Sequence, residues 1–252
     1  MGDRSGLPGD MFVARTNRRI RGSTDERSTW MISAYHKRFG GRRDDIVPRL
    51  VDHDERRRQI TDAARRVIVR GGLAAATFQA VAAEAGISVR LVQYYFGTKK
   101  DFLLGTLKAV LDDMAVRFIR HVEALGPDPD PRAAMRATAL ALLPLDETRR
   151  AEALVLSAYQ TARLTGSPAI PGETLEAPRL LAQTFAGHLR RARGSDTDTH
   201  TSDTDTEADA ELLTDILVGL TQSTLAGYHT PDRATALVDH ALDRLLGPAP
   251  RR

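Results

Sequence analysis

Residues 86–103 read GISVRLVQYYFGTKKDFL, a stretch that crowds hydrogen-bonding and flat apolar side chains onto one short segment. Val92 and Phe96 stand four apart, the spacing of one buried helix side, so Val89, Arg90, Gln93 and Tyr94 fall largely on the opposite side. Adjacent Tyr94 and Tyr95 cannot both face one core. An exposed guanidinium, amide and phenol supply donors and flat surface of the kind that meets base edges, thymine methyls and phosphates. Just beyond, Lys99 and Lys100 open the next helix, where cations are unfavourable unless an anion such as phosphate offsets the positive helix end.

The elements that must position this face are legible upstream. A helix is expected from near Asp52, which stands three residues before Glu55 in a capping-box-like spacing. Ile60, Ala63, Ala64, Val67 and Ile68 then recur at helical spacing until Gly71-Gly72 stops them. Thr77 caps a second, short helix with Val81, Ala82 and Ala85 on its buried side, and Gly86 takes the left-handed conformation that ends it. Ile87 fills the corner and Ser88 caps the third helix. Two short helices about a glycine turn make a helix-turn-helix, whose second helix is the usual element laid in a DNA major groove.

The run TFQAVAAEAGISVRLVQYYFGTKKDFL resembles the DNA-binding signature of the tetracycline-repressor-like (TetR) family: a capping threonine, Ala-x-x-Ala-Gly-Ile-Ser, an aromatic pair, a phenylalanine and a lysine three residues later. The match runs without a gap over about residues 52 to 105. The resemblance implies that Thr77, Gln79, Val89, Arg90, Leu91, Gln93, Tyr94, Tyr95 and Lys99 face DNA. Gln93 departs from the pattern, standing where the family more often has a tyrosine, so its amide brings different chemistry. Tyr95 reads equally well as a packing residue with a polar tip.

Charge follows the same division. Residues 1–105 carry 20 Lys+Arg against 12 Asp+Glu, whereas the remainder carries 16 against 21, although the whole chain is only +3. The first part is suited to a polyanion. Residues 1–50, with NRRIRG and KRFGGRR, form a basic extension without apolar period, expected to be disordered. Residues 51–98 form the helix-turn-helix domain, and 99–247 a larger helical domain interrupted at 194–207 by a low-complexity linker. The 42% hydrophobic content with 5% aromatic, rich in Ala and Leu, favours an all-α fold, and no apolar run reaches membrane-spanning length. With zero Cys there is no disulfide or cysteine metal site, and a cytoplasmic location is expected.

In the second domain a long helix is expected from Thr98 to about Leu125, then others over 132–143, 147–165, 173–193, 208–228 and 231–246, the last capped by Thr230 with Pro231 in its first turn. The resemblance implies that this domain binds a small effector and that its last two helices pair with those of a second subunit. Leu212, Leu213, Ile216, Leu217 and Leu220 give a stripe wide enough for core and partner, as an ordinary buried helix also would. Met114, Phe118, Tyr159, Gln160 and Phe185 are candidate effector-pocket residues, though aromatics and methionines at helical spacing are more often simple core.

The acidic run GSDTDTHTSDTDTEADAE lacks the glycine and final glutamate of a calcium loop, so no metal is expected. Neither a nucleophile elbow nor a phosphate-cradling loop occurs, and neither a cofactor nor an enzyme is expected. The reading is a dimeric, ligand-responsive transcriptional regulator, a repressor, on a palindromic operator. The alternatives are a DNA-independent helical ligand-binding or adaptor protein with a vestigial head and, further off, a helical enzyme.

Overall fold

The computed structural model describes residues 48–166, 176–194 and 203–248. Of the extension 1–50 expected to be disordered, residues 1–47 lie outside them, and residues 48–50 are instead the first turn of a helix. Among the described residues every regular element is a helix: α1 (Pro48–Ala75), α2 (Phe78–Ala85), α3 (Val89–Phe96), α4 (Lys99–Ala124), α5 (Pro131–Leu142), α6 (Glu147–Leu164), α7 (Glu176–Gly194), α8 (Asp203–Leu225) and α9 (Pro231–Leu246).

Most expected boundaries fall within a few residues of these, and the exceptions have identifiable causes. α1 starts at Pro48, not at Asp52, so Asp52 lies inside the helix and no capping box opens it there. Proline fits a first helical turn because its missing N–H would be unpaired anyway. At its other end α1 runs on to Ala75, but Gly72 sits at φ 73, ψ 179, so the backbone does break at the expected glycine pair. α8 begins at Asp203 and absorbs the second half of the run read as a linker to 207. Acidic residues suit the positive end of a helix. Arg190 of α7 also pairs with Glu207 at 3.0 Å, and Arg193 donates to Thr206 Oγ1 at 2.9 Å.

Two apolar cores hold the helices. The first takes Ile60, Ala64 and Ile68 from α1, Val81 from α2, Val92 and Phe96 from α3, and Phe102, Leu107 and Val110 from α4, and is completed by Val155 and Tyr159 of α6. It therefore crosses residue 98. Phe96 and Phe78 both meet Phe102 edge-on, with ring centroids 5.5 and 5.6 Å away, an arrangement that aromatic quadrupoles favour. Gly105 of α4 lies against the same Phe96 ring: a Cβ placed there would stand 2.7 Å from Phe96 Cε1. Tyr159, fully buried, donates its hydroxyl to Leu103 O at 2.7 Å, and burial raises its pKa far above the ordinary phenol value.

The second core takes Met135 and Ala139 from α5, Phe185 and Leu189 from α7, Leu213, Leu217 and Leu220 from α8, and Val238 and Leu242 from α9. α6 also reaches this side, since Arg150 donates to Thr224 O at 3.4 Å and Leu225 O at 3.1 Å, capping the end of α8. Buried Glu152 of α6 is paired with Arg117 of α4. Among the described residues no helix is long and apolar enough to cross a membrane.

Candidate nucleic-acid interface

The two short helices are defined by their ends. Thr77 Oγ1 accepts from Ala80 N–H at 3.1 Å, and Ser88 Oγ accepts from Leu91 N–H at 3.2 Å, so both expected caps are formed. Between them Gly86 takes φ 67, ψ 33. A side chain there would be strained, because left-handed backbone crowds a Cβ against the following carbonyl. The turn sets α3 across α2 with Val92 and Phe96 buried.

What remains of α3 divides by register. Arg90, Gln93 and Tyr94 are exposed, Tyr94 by 71%. Val89, Leu91 and Tyr95 are half-buried, and Val89 and Tyr95 pack against the first core. Sequence spacing put Val89 on the open face; it contributes to the corner because it is the first residue after the Ser88 cap. Gln79 of α2 is exposed and Thr77 half-buried beneath its capping bond. Ser88, Arg90, Leu91 and Tyr94 line a shallow cleft of about 260 Å³.

Tyr94 and Tyr95 meet at 90°, centroids 5.4 Å apart. His53 of α1 lies 5.0 Å from the Tyr95 ring and 6.2 Å from Tyr94. The first turn of α4 follows directly: Thr98 Oγ1 accepts from Asp101 N–H at 3.1 Å and donates to Asp101 Oδ2 at 2.7 Å. Lys99 and Lys100 are both exposed there. Donors, flat rings and two cations thus lie exposed on α3 and the adjoining first turn of α4, a composition matched to a charged, stacked polymer.

α1 supplies contacts that the sequence did not single out. Arg66 and Arg70 both pair with Glu84 of α2. Hydrogen bonds from Arg70 and then Arg66 hold the Glu84 carboxyl below the usual carboxylate range. Arg57 reaches the carbonyl of Tyr95, and Gln59 that of Ala85. In sequence Arg57 and Gln59 belong to the polar run RRRQ, and their partners are remote in the chain.

The five candidate effector residues are not gathered. Tyr159 lies in the first core, with Met114 packed against it, while Phe185 is buried in the second. Gln160 is exposed and Phe118 half-buried. A groove of about 670 Å³ lies instead between α7 and α8, lined by Arg179, Arg190, Glu207, Glu211 and Asp215 among others.

Residues 60–105 match the family model of bacterial regulatory proteins, tetR family. The HTH-type transcriptional regulator BetI of Paraburkholderia phytofirmans is 36% identical over 102 residues, covering 40% of this chain and 51% of the relative. The chain thus matches only about half the length of that curated relative. Over a larger span, a transcriptional regulator of Rhodococcus superposes with TM-score 0.60 at 27% identity, covering 76% of this chain and 94% of the other. A transcriptional regulator of Saccharomonospora viridis, solved in complex with choline, superposes with TM-score 0.65 at 26% identity, covering 75% and 96%. With the motif formed at residues 60–105 and the all-helical arrangement shared beyond it, the chain carries the DNA-binding domain of the tetR family of bacterial regulatory proteins and is similar in fold to transcriptional regulators over most of its length.

Proposed function

We propose that the chain is a DNA-binding transcriptional regulator that reads a palindromic operator as a homodimer in the cytoplasm. It acts as a repressor whose grip changes when a small molecule binds the larger helical part. One observation carries the reading: Arg90, Gln93 and Tyr94 stand exposed on a capped helix whose opposite side, Val92 and Phe96, is buried. Arg and Gln are the side chains that pair bidentately with guanine and adenine edges. Residues 51–98 serve as the reader, and 99–247 as the part that binds effector and partner.

Two half-sites require two recognition helices related by a two-fold axis. α8 supports that assembly, since Leu212 is 53% and Val218 45% exposed on a helix whose other side is core. The choline complex of the Saccharomonospora viridis protein supports a small-molecule effector as a class. An effector must favour one separation of the recognition helices; a coupling of about 1 to 3 kcal/mol changes operator affinity roughly 5- to 150-fold.

The test is selection of duplexes from a random pool by the purified full chain, followed by titration of the DNA upstream of its own gene. Enrichment of a palindrome, bound with two chains per site, is the expected result. Binding of every duplex alike, or of none, overturns the reading and leaves the DNA-independent adaptor in its place.

A further inference from the structure

A helix leaves its last four carbonyls without an intrahelical donor, and in a helix of 8 residues those four are half of the total. At the end of α3, Gly97 N–H donates to Gln93 O and Thr98 N–H to Phe96 O, both at 2.7 Å. The Tyr95 carbonyl between them accepts from Arg57 Nη2 of α1 at 3.0 Å. The same guanidinium lies over the Phe96 ring, its Cζ 4.8 Å from the centroid. One α1 side chain therefore holds the polar backbone and the apolar anchor of the same helical turn.

α2 is finished in the same way. Ile87 N–H reaches Ala82 O at 3.0 Å and Gly86 N–H reaches Ala83 O at 3.3 Å, while Ala85 O accepts from Gln59 Nε2 at 3.1 Å. Arg56 Nη1 donates to Gln59 Oε1 at 2.6 Å, orienting that amide. Arg57 and Gln59, two apart on α1, thus close the ends of both short helices.

We infer that Arg57 is a positioning residue for recognition: it fixes the tilt at which α3 presents Arg90, Gln93 and Tyr94, and so sets sequence discrimination without reading a base. This rests on the operator-binding reading above. α3 fully buries only Val92 and Phe96, with Val89 and Tyr95 half-buried at the edge of the core. Two fully buried anchors on one side resist displacement toward solvent, while rocking about the line that joins them is opposed by the half-buried Val89 and Tyr95 and by contacts at the helix end. The Arg57 contact at Tyr95 lies off that line. Base readout needs side chains held within about 0.5 Å of their productive positions, so a small tilt is expected to cost specific contacts and spare loose phosphate contacts.

The experiment uses the full chain, unaltered and as Arg57→Ala and Arg57→Lys. Affinities are measured on the selected duplex and on a scrambled one over a range of salt, and amide hydrogen exchange is followed without DNA. Arg57→Ala is expected to weaken the selected duplex about tenfold or more while barely changing the scrambled one or its salt slope. Exchange should quicken at residues 93–98 and stay slow at the buried amides of α1 and α4. Arg57→Lys, which keeps the charge but not a flat group over Phe96, should fall between, and it carries the same comparisons if the alanine variant does not fold. Equal loss on both duplexes with the slope reduced by about one unit would make Arg57 a phosphate contact and overturn the inference. Faster exchange along the whole chain, or no change in discrimination, would also overturn it. If the unaltered protein discriminates between no duplexes, the operator reading fails by itself, while unchanged exchange at 93–98 in Arg57→Ala rejects the clamp without any DNA.

Discussion

α3 and α9 both begin at a hydroxyl cap and bury apolar residues at helical spacing, yet one has 8 residues and the other 16. α9 is held along its length, by Ala234, Val238, Ala241 and Leu242 in the core and by Arg132 and Arg136 of α5 on Asp243 and Asp239. α3 fully buries only Val92 and Phe96, with Val89 and Tyr95 at the core's edge, and is held at its ends by Ser88, the Gly97 turn and Arg57. A helix secured along its length has few side chains left over for a ligand. One secured at its ends keeps most of its face free, at the cost of depending on a few end contacts.

The largest expected effect tests the lengthwise half of that contrast. Phe185 is fully buried in the second core. Phe185→Ala should lower unfolding free energy by about 3 to 5 kcal/mol in urea denaturation, from lost burial and the cavity left behind. A loss under about 1 kcal/mol would mean the site collapses and that volume is not what holds this region.

Next comes the open face. Arg90→Ala and Gln93→Ala should each cost about 1 to 3 kcal/mol on the selected duplex, relax preference at particular base pairs and leave the urea midpoint in place. Equal losses on matched and base-substituted duplexes would reduce both residues to backbone contacts.

A paired comparison sharpens the role of helix ends. Ser88→Ala and Thr230→Ala remove equivalent caps from α3 and α9, each worth about 1 kcal/mol of stability. Only Ser88→Ala should also weaken discrimination between duplexes, because only α3 depends on its ends for its pose. Matching effects of the two variants on DNA binding would erase the distinction.

The smallest effect is a pH dependence. The Glu84 carboxyl is held below its ordinary value of 4.5 by Arg70 and Arg66. A group whose folded pKa is depressed contributes stability that is complete above the unfolded value and fades as pH falls through the folded one. Glu84→Gln should therefore separate from the unaltered protein above about pH 4.5 and converge with it below, in thermal unfolding followed against pH. A constant gap at all pH values would assign the contact to packing alone.

How much of this was legible depends on distance along the chain. The caps Thr77 and Ser88, the turn at Gly86 and the buried pair Val92 and Phe96 lie within twenty or so residues, and local backbone chemistry dictates each. α9 was equally plain, with Thr230 and Pro231 at its start. The Arg57 contact with Tyr95 spans 38 residues and depends on how α1 crosses α3, which no spacing rule supplies. Tyr159 and Phe185 looked alike as apolar positions, and only packing sends one to each core. The start of α8 was hidden because Asp and Thr favour a linker by composition and a helix N-terminus by electrostatics, and the arginines of α7 decide between them.

Gly105 shows what the narrow anchoring of α3 demands of its neighbours. The hydrogen at this position leaves a notch one methyl deep in α4, and the Phe96 ring occupies it. Substitution by alanine would ordinarily make a helix more stable by about 0.5 to 1 kcal/mol. Here it would push the ring, and with it the reading helix, away from α4. If α3 reads DNA as proposed, sequence drift at Arg90 or Gln93 alters which duplex is favoured while the protein still folds, whereas a single added carbon at Gly105 in α4 shifts the whole reading face at once.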